Sequence, residues 1–482
     1  MACDGLGTGY LAYSLSAGEL AVSDDDATVL AAVRGLGGYN SKRLAEFFTF
    51  AELSGPETFF EPVSALLPGE MLIVENGRVQ RRWLRQPRLD YRIEHARWET
   101  YVEEFAELLT SSVSRCLRGL DRVAVLMSGG LDSTPIAALA ARLLATGGAT
   151  APVTALCWRM SDARADESAL IEKMSEHAGV EIEWIDCDDA VPFSDLPNWP
   201  VHPSTPQQTA YRWFHQRSFA RAAELRHRVV LSGFCGDVLY INARRWVWSL
   251  LSAEGPGKAI DCLREVAGSL GWKRTLRTHV FGPLLPLHRG LRRQLPEFLT
   301  PRARELHFAR PLWPTNLDLA LRPHQASRLL ALLDARGEGF ERHFSSPFGV
   351  EMRSPLRDFD LVQFMLAVPD HLLQQGTVTR PILRAASRGL IPEEIRLRKG
   401  KAAFYDVLDR GLATEKLRWT RSLLLDPDAL WRGFIEESAI RSWVEASPTD
   451  SWGKMGYLHA IYGELWRRER AGLPRPSVDA DG

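Results

Sequence analysis

The stretch Arg122 to Ser133, RVAVLMSGGLDS, constrains the fold of this 482-residue chain more than any other. Val123 to Met127 form an unbroken apolar run, the pattern of a strand buried on both faces of a parallel sheet. The run then breaks into Ser128-Gly129-Gly130-Leu131-Asp132-Ser133. Thr134 to Ala145 follows, rich in alanine and leucine, with Pro135 in its first turn and Gly147 just beyond it, which predicts a helix. A glycine-rich turn between strand and helix suits phosphate for physical reasons. Glycine lets the backbone approach closely, successive N–H groups point at the ligand, and the helix start adds partial positive charge. The plain alternative is an ordinary strand-to-helix turn, but strand, loop, acid and helix all occur in register.

The loop lacks the lysine that a Walker A sequence places after its glycines, and it lacks the spacing of a dinucleotide fingerprint. SGGLDS instead resembles the pyrophosphate loop of the ATP pyrophosphatases, which cleave ATP to AMP and pyrophosphate. The resemblance gives Ser128, Gly129, Gly130, Leu131 and Ser133 to the pyrophosphate and Asp132 to magnesium.

Beyond the loop, extended and helical stretches alternate: Val153 to Trp158, Asp166 to Ala178, Ile182 to Ile185, Gln207 to His227 and Val229 to Leu231. That alternation predicts an α/β fold with a doubly wound parallel sheet, whose ligands sit outside the carboxyl ends of the strands. The last strand runs into Ser232-Gly233-Phe234-Cys235-Gly236-Asp237, a second small-residue turn ending in an acid. Were the first and fourth strands neighbours across the switch point, Asp132 and Asp237 would converge, and two carboxylates with phosphate oxygens make a reasonable magnesium site. Taken alone, Asp237 reads as a turn residue.

Before the sheet, residues 1–92 read as a small domain. Leu11 to Ser16 and Glu19 to Ser23 form paired strands, Asp24 to Asp26 start a helix over Ala27 to Val33, and Leu66 to Val79 forms a turn and hairpin. A helix over Glu94 to Arg118 leads into the second unit, 93–482, whose later part turns helical. Lys273 to Arg310 holds nine Lys or Arg against two Glu, a solvated face or a surface for an acidic peptide or phosphates. A net charge of -1 gives no reason to expect a nucleic-acid or membrane partner. No segment has the length and apolarity of a membrane span, and the N-terminus lacks the pattern of a secretory signal. The six cysteines are scattered without a CxxC pair, which disfavours a disulfide framework or a zinc site and fits a reducing cytoplasm.

A second resemblance covers roughly residues 100–410. The run Phe348 to Asp358, FGVEMRSPLRD, then Thr379-Arg380-Pro381-Ile382-Leu383-Arg384, Leu390 to Ile395, and Arg398-Lys399-Gly400-Lys401-Ala402-Ala403-Phe404 resemble the synthetase domain of the asparagine synthetases, as does Ser232 to Asp237. The resemblance implies an adenine nucleotide alpha hydrolase-like sheet with a helical C-terminal part. It assigns magnesium to Asp132 and Asp237, a loop contact to Gly233, adenine contacts to the backbone of Leu156 and Cys157, and the catalytic lysine to Lys401, with Lys399 competing. Glu351 is implied as the group that takes or orients the amine proton; pairing with Arg353 or Arg384 as structure is the even alternative.

LLPGEMLIVENGRVQRRW resembles the latter part of the family's glutaminase domain, so residues 1–92 are expected to be a degenerate, truncated α+β glutaminase-like domain. The N-terminal cysteine of those glutaminases would here be Ala2, and Cys3 stands one position too late. Phe234 occupies the place of a Glu that handles ammonia protons in asparagine synthetases and of a Tyr in β-lactam synthetases. These departures resemble the macrolactam synthetases that close lasso peptides. That branch implies ATP and magnesium as cofactors, a precursor peptide as substrate, a leader-binding protein and a leader peptidase as partners, and a cytoplasmic enzyme that joins an Asp or Glu side-chain carboxylate to the peptide's N-terminal amine. The alternative is an asparagine synthetase or another small-molecule amide or β-lactam synthetase.

Overall fold

The computed structural model describes residues 1–16, 19–33, 38–50, 55–75, 78–147, 153–193, 200–209, 211–240, 243, 245–284, 295–309, 323–334, 344–400, 405–413 and 418–474. The chain opens with β1 (Ala12–Ser16) and β2 (Glu19–Ser23), paired antiparallel, then α1 (Asp26–Ala32) and α2 (Ser41–Phe48). Asp25 caps α1 by accepting from the Thr28 N–H, as the acidic triplet predicts. The short β3 (Ser64–Ala65) joins β1, and β4 (Glu70–Glu75) and β5 (Arg78–Trp83) form the expected hairpin.

α3 (Trp98–Cys116) buries Tyr101, Phe105, Leu109 and Val113 on one stripe and delivers the chain to the central sheet. That sheet is built from β6 (Ala124–Leu126), β7 (Thr154–Arg159), β8 (Glu181–Asp186), β9 (Val229–Ser232) and β10 (Glu351–Arg353), all parallel, in the order β10-β9-β6-β7-β8. Helices α4 (Ser133–Thr146), α5 (Ser168–Ala178) and α6 (Arg212–Glu224) connect them. Both faces are covered. Val123, Val125, Val229 and Leu231 point into a core with α3 and α4, while Ala124, Leu156 and Val230 point into one with Phe214 and Phe219 of α6. The chain runs outward from β6 through β7 to β8, then returns to place β9 on the other side of β6. The switch point therefore lies between β6 and β9, where Leu126 is in register with Ser232.

Three sequence expectations change in detail. The central strand is three residues long, Ala124–Leu126, shorter than the apolar run, and its last ladder bond to β7 runs from the Met127 N–H to the Leu156 carbonyl. α6 starts at Arg212 rather than Gln207. The fifth strand, Glu351–Arg353, was not expected as a strand; at three residues it is too short to show a period.

A second large core forms elsewhere. Phe47, Phe48, Phe59 and Phe60 from the first 60 residues pack with Trp431, Ile461, Leu465 and Trp466, the last three on the C-terminal helix Ser451–Ala471. All six cysteines carry free thiols, and among the described residues no helix is long and apolar enough to cross a membrane.

Candidate functional site

The loops that follow β6 and β9 meet at the carboxyl end of the sheet, around a cavity of about 850 Å³. Its lining divides by chemistry. Leu126, Leu156, Trp158 and Ile171 form an apolar side, and Asp132, Asp237, Arg380, Arg384, Arg398 and Lys399 bring charge to the rest. His215 also lines it, and burial pushes its imidazole down to about 3, so this ring stays neutral.

The first loop is held from inside and outside. The Ser128 N–H donates to Ser133 Oγ at 3.1 Å, the Gly130 N–H to Ser128 Oγ at 3.2 Å, and Thr134 Oγ1 to the Gly130 carbonyl at 2.9 Å. Gly129 is not among the residues that line the cavity and is gripped on both polar groups. Its N–H donates to Glu167 at 3.1 Å and its carbonyl accepts from Arg398 at 3.1 Å, while Arg398 also pairs with Glu167. The Glu167 side chain is only 9% exposed. This triangle couples the loop to the segment at 396–400, and Arg384 anchors that segment further by donating to the carbonyls of Thr379, Arg396 and Arg398. Desolvation, then the neighbouring Arg380 and Arg396, lowers the Arg384 pKa below the ordinary guanidinium value.

The second loop is shaped to admit Asp132. A Cβ at Gly236 would stand 2.4 Å from Asp132 Cγ, and one at Gly233 would meet Asp132 and Ser133 at 3.1 Å. Between these glycines Cys235 adopts φ 70°, uncommon for a residue with a Cβ. The turn thus packs against the first loop and sets Asp237 across from Asp132. Arg380 spans them: its Nη1 donates to Asp132 Oδ1 at 2.6 Å and its Nη2 to Asp237 Oδ1. Two carboxylates that reach one guanidinium can also share one divalent cation. Among the described residues no cluster of three or more metal-ligating side chains gathers, so magnesium here would take its other ligands from phosphate oxygens and water.

The structure therefore brings Ser128, Gly130, Leu131, Asp132, Ser133, Leu156, Gly233 and Asp237 to one cavity. It does not bring Cys157 or Glu351 there. Cys157 sits inside β7, fully buried, in register with Trp184 of β8. The Leu156 carbonyl is already taken by the Met127 N–H. Glu351 begins β10 in register with Val229, at the amino end of the sheet, and both its carboxylate oxygens accept from Arg353 at 2.8 Å. Parallel register puts the first residue of a strand at the end opposite the ligand loops, so the alternative of a structural pair with Arg353 is the one found. Lys401 lies outside the described residues. Lys399 lines the cavity but is 73% exposed, with Nζ 3.7 Å from Glu265. Phe234 lines the cavity as well, presenting a ring where a proton acceptor was absent from the sequence.

Sequence reasoning gave no role to Glu167, Tyr240 or Arg380. A signal existed for Arg380 and Arg384, two arginines one turn apart around a proline-started helix, Pro381–Ala386.

Against known proteins, no curated protein matches this chain. Among solved structures, a U34-tRNA thiolase from Methanococcus maripaludis, solved with its 4Fe-4S cluster, is similar at 16% identity over 49% of this chain and 79% of that one, with a TM-score of 0.25. Similarity at that level carries no argument about this protein. The asparagine synthase family, in contrast, matches residues 104–468, which take in both loops, the five sheet strands and the Arg380 helix. The chain belongs to the asparagine synthase family.

Proposed function

We propose that this protein is an AMP-forming amide ligase that activates a peptide Asp or Glu side-chain carboxylate with ATP and closes a macrolactam with the peptide's N-terminal amine. The observation that carries the ligase reading is the meeting of two carboxylates, a pyrophosphate-type loop and four basic side chains in one cavity, in a member of the asparagine synthase family. The apolar side of the cavity suits adenine, and the loop's helix start suits the phosphates. Asp132 and Asp237 would hold magnesium, which supplies charge neutralisation on the phosphates when bound. Arg380, Arg384 and Arg398 add fixed positive charge where pyrophosphate leaves, and Lys401, three residues beyond Arg398, is assigned to the transition state by its motif. Glu351, held by Arg353, is left out of the scheme.

Two features favour a peptide amine over ammonia. Phe234 cannot take a proton from an ammonium ion. Cys3, the only cysteine near the N-terminus, is buried with its thiol donating to the Gly9 carbonyl at 3.2 Å, so it supplies no exposed nucleophile for releasing ammonia from glutamine. A leader-binding protein and a leader peptidase complete this proposal as partners.

The test uses ATP labelled in its α-phosphate. Release of labelled AMP with pyrophosphate, dependent on a peptide carrying an acidic residue and a free N-terminus, is the expected result. Release of ADP overturns the ligase reading, and asparagine made from aspartate and ammonium at a comparable rate overturns the peptide reading.

A further inference from the structure

Arg380 is an unusual residue to find where it stands. It adopts φ 56°, ψ 44°, a left-handed conformation disfavoured for any side chain with a Cβ, immediately before Pro381. Such strain persists only where surrounding contacts enforce it, and it gathers at functional sites. Here the contacts are visible. The Arg380 N–H donates to the Leu373 carbonyl at 2.8 Å, the guanidinium lies 5.6 Å from the centre of the Tyr240 ring, and its fork reaches both Asp132 and Asp237. The side chain is 10% exposed. Arg384, one turn on, uses its donors on the carbonyls of Thr379, Arg396 and Arg398 instead.

We propose that Arg380 is a built-in counter-cation that closes the Asp132–Asp237 pair to a lone divalent cation, so that metal enters only together with a nucleotide whose phosphates take the guanidinium over. This rests on the nucleotide-site reading above and deepens it. A metal arriving alone must either share the two carboxylates with a guanidinium in contact with both, or displace it. Displacement leaves a largely buried positive charge without its partners, which is strongly unfavourable. A triphosphate removes the difficulty because it brings several negative oxygens into the same cavity, giving Arg380 new acceptors and the metal its remaining ligands. Metal and nucleotide then bind with positive coupling, and the coupling is reciprocal: each raises the affinity of the other by the same factor.

The experiment measures Mn²⁺ binding to the full chain by electron paramagnetic resonance of the free ion. It is run with and without α,β-methylene-ATP, with correction for Mn²⁺ held by free nucleotide. Wild type is expected to bind Mn²⁺ at least about ten-fold more tightly with the analogue than without it. Arg380→Gln is expected to bind Mn²⁺ alone about ten-fold more tightly than wild type, and to gain less from the analogue. Arg380→Lys keeps a charge but loses the fork, and should fall between them. Wild type that binds the analogue yet binds Mn²⁺ equally well in both conditions overturns the proposal without reference to any variant, so misfolding of Arg380→Gln does not shield it. Arg380→Gln, folded by circular dichroism, binding Mn²⁺ alone no better than wild type also overturns it. If the analogue fails to bind at all, the nucleotide reading falls instead, and the nucleotide-free comparison of wild type with Arg380→Gln still decides the counter-cation role.

Discussion

Single residues at this site act through very short distances. Gly236 is the sharpest case, since a methyl group there would stand 2.4 Å from the Asp132 carboxyl carbon and 2.6 Å from its Oδ1. Gly236→Ala must therefore push the carboxylate aside or shift the second loop. A displacement of about 1 Å at a reacting centre can lower turnover on the order of 10²-fold. We expect a loss of that size in AMP formation with secondary structure unchanged by circular dichroism; near-normal turnover would show that Asp132 has no fixed position to lose. The two lysines of the basic segment separate by the same logic. Lys399 is largely exposed and 3.7 Å from Glu265. Lys399→Ala should alter turnover only a few-fold, whereas Lys401→Ala should reduce it on the order of 10²-fold or more, the scale seen when one positioned donor to a transition state is removed. The reverse order in single-turnover product formation would move the catalytic role to Lys399.

Elements show a different kind of dependence, on what packs against what. The C-terminal helix Ser451–Ala471 places His459 against the first hundred residues: its ring stacks on Phe47 at 4.5 Å and meets Phe50 edge-on at 4.6 Å, and its Nδ1–H donates to the Phe47 carbonyl at 2.9 Å. Burial pushes this imidazole down from 6.5 to about 4. The unfolded chain therefore takes up the proton first as pH falls. The stabilisation is complete above about pH 6.5 and is lost as pH drops towards 4, by about 3 kcal/mol over the whole window. His459→Gln should lower the melting temperature at pH 7.5 and flatten its decline between pH 6.5 and 4.5; a parallel decline in both proteins would refute the assignment. Nothing in the sequence announced this helix as a partner of the N-terminal segment. The local elements were legible where a period or a cap declares them: α1 from Asp25, α4 from its alanine run and Gly147, the parallel sheet from alternating strands and helices. The meeting of Asp132 and Asp237 was legible only on the condition that the first and fourth strands are neighbours across the switch point, and they are. Arg380 was not, since its role comes from a left-handed backbone and a reach across 248 residues to Asp132, neither of which leaves a periodic trace. For Glu351 the sequence left two readings even, because a motif gives a residue type but not the end of the strand on which it stands.

Over the whole molecule, the two units read from the sequence at 1–92 and 93–482 share their interior. Trp466 of the C-terminal helix is fully buried, and the rings around it come from the other unit: Tyr39 at 5.0 Å, Phe59 at 5.4 Å and Phe60 at 5.8 Å. Phe48 stacks on Phe434 at 5.2 Å. Polar contacts follow the same path. Arg357, just after β10, donates to the Leu6 carbonyl at 3.0 Å from a buried position, and Ser204 accepts from the Ala27 N–H at 2.9 Å. Removing residues 1–92 would take away Phe47, Phe48, Phe59 and Phe60 together with the surfaces they cover. At roughly 2 kcal/mol for each buried ring, the loss is comparable to the 5–15 kcal/mol that typically holds a whole domain folded. The fragment 93–482 should therefore be insoluble, or fail to melt cooperatively, although it retains both loops, Arg380 and the entire parallel sheet. Expression of that fragment, followed by size-exclusion chromatography and near-ultraviolet circular dichroism, checks this directly. A monodisperse fragment with a native aromatic spectrum would mean that the shared core contributes little, and that the N-terminal segment rides on an enzyme able to stand without it. Failure of the fragment, with rescue when residues 1–92 are supplied as a separate chain, would mean that this segment serves the protein as half of its second core.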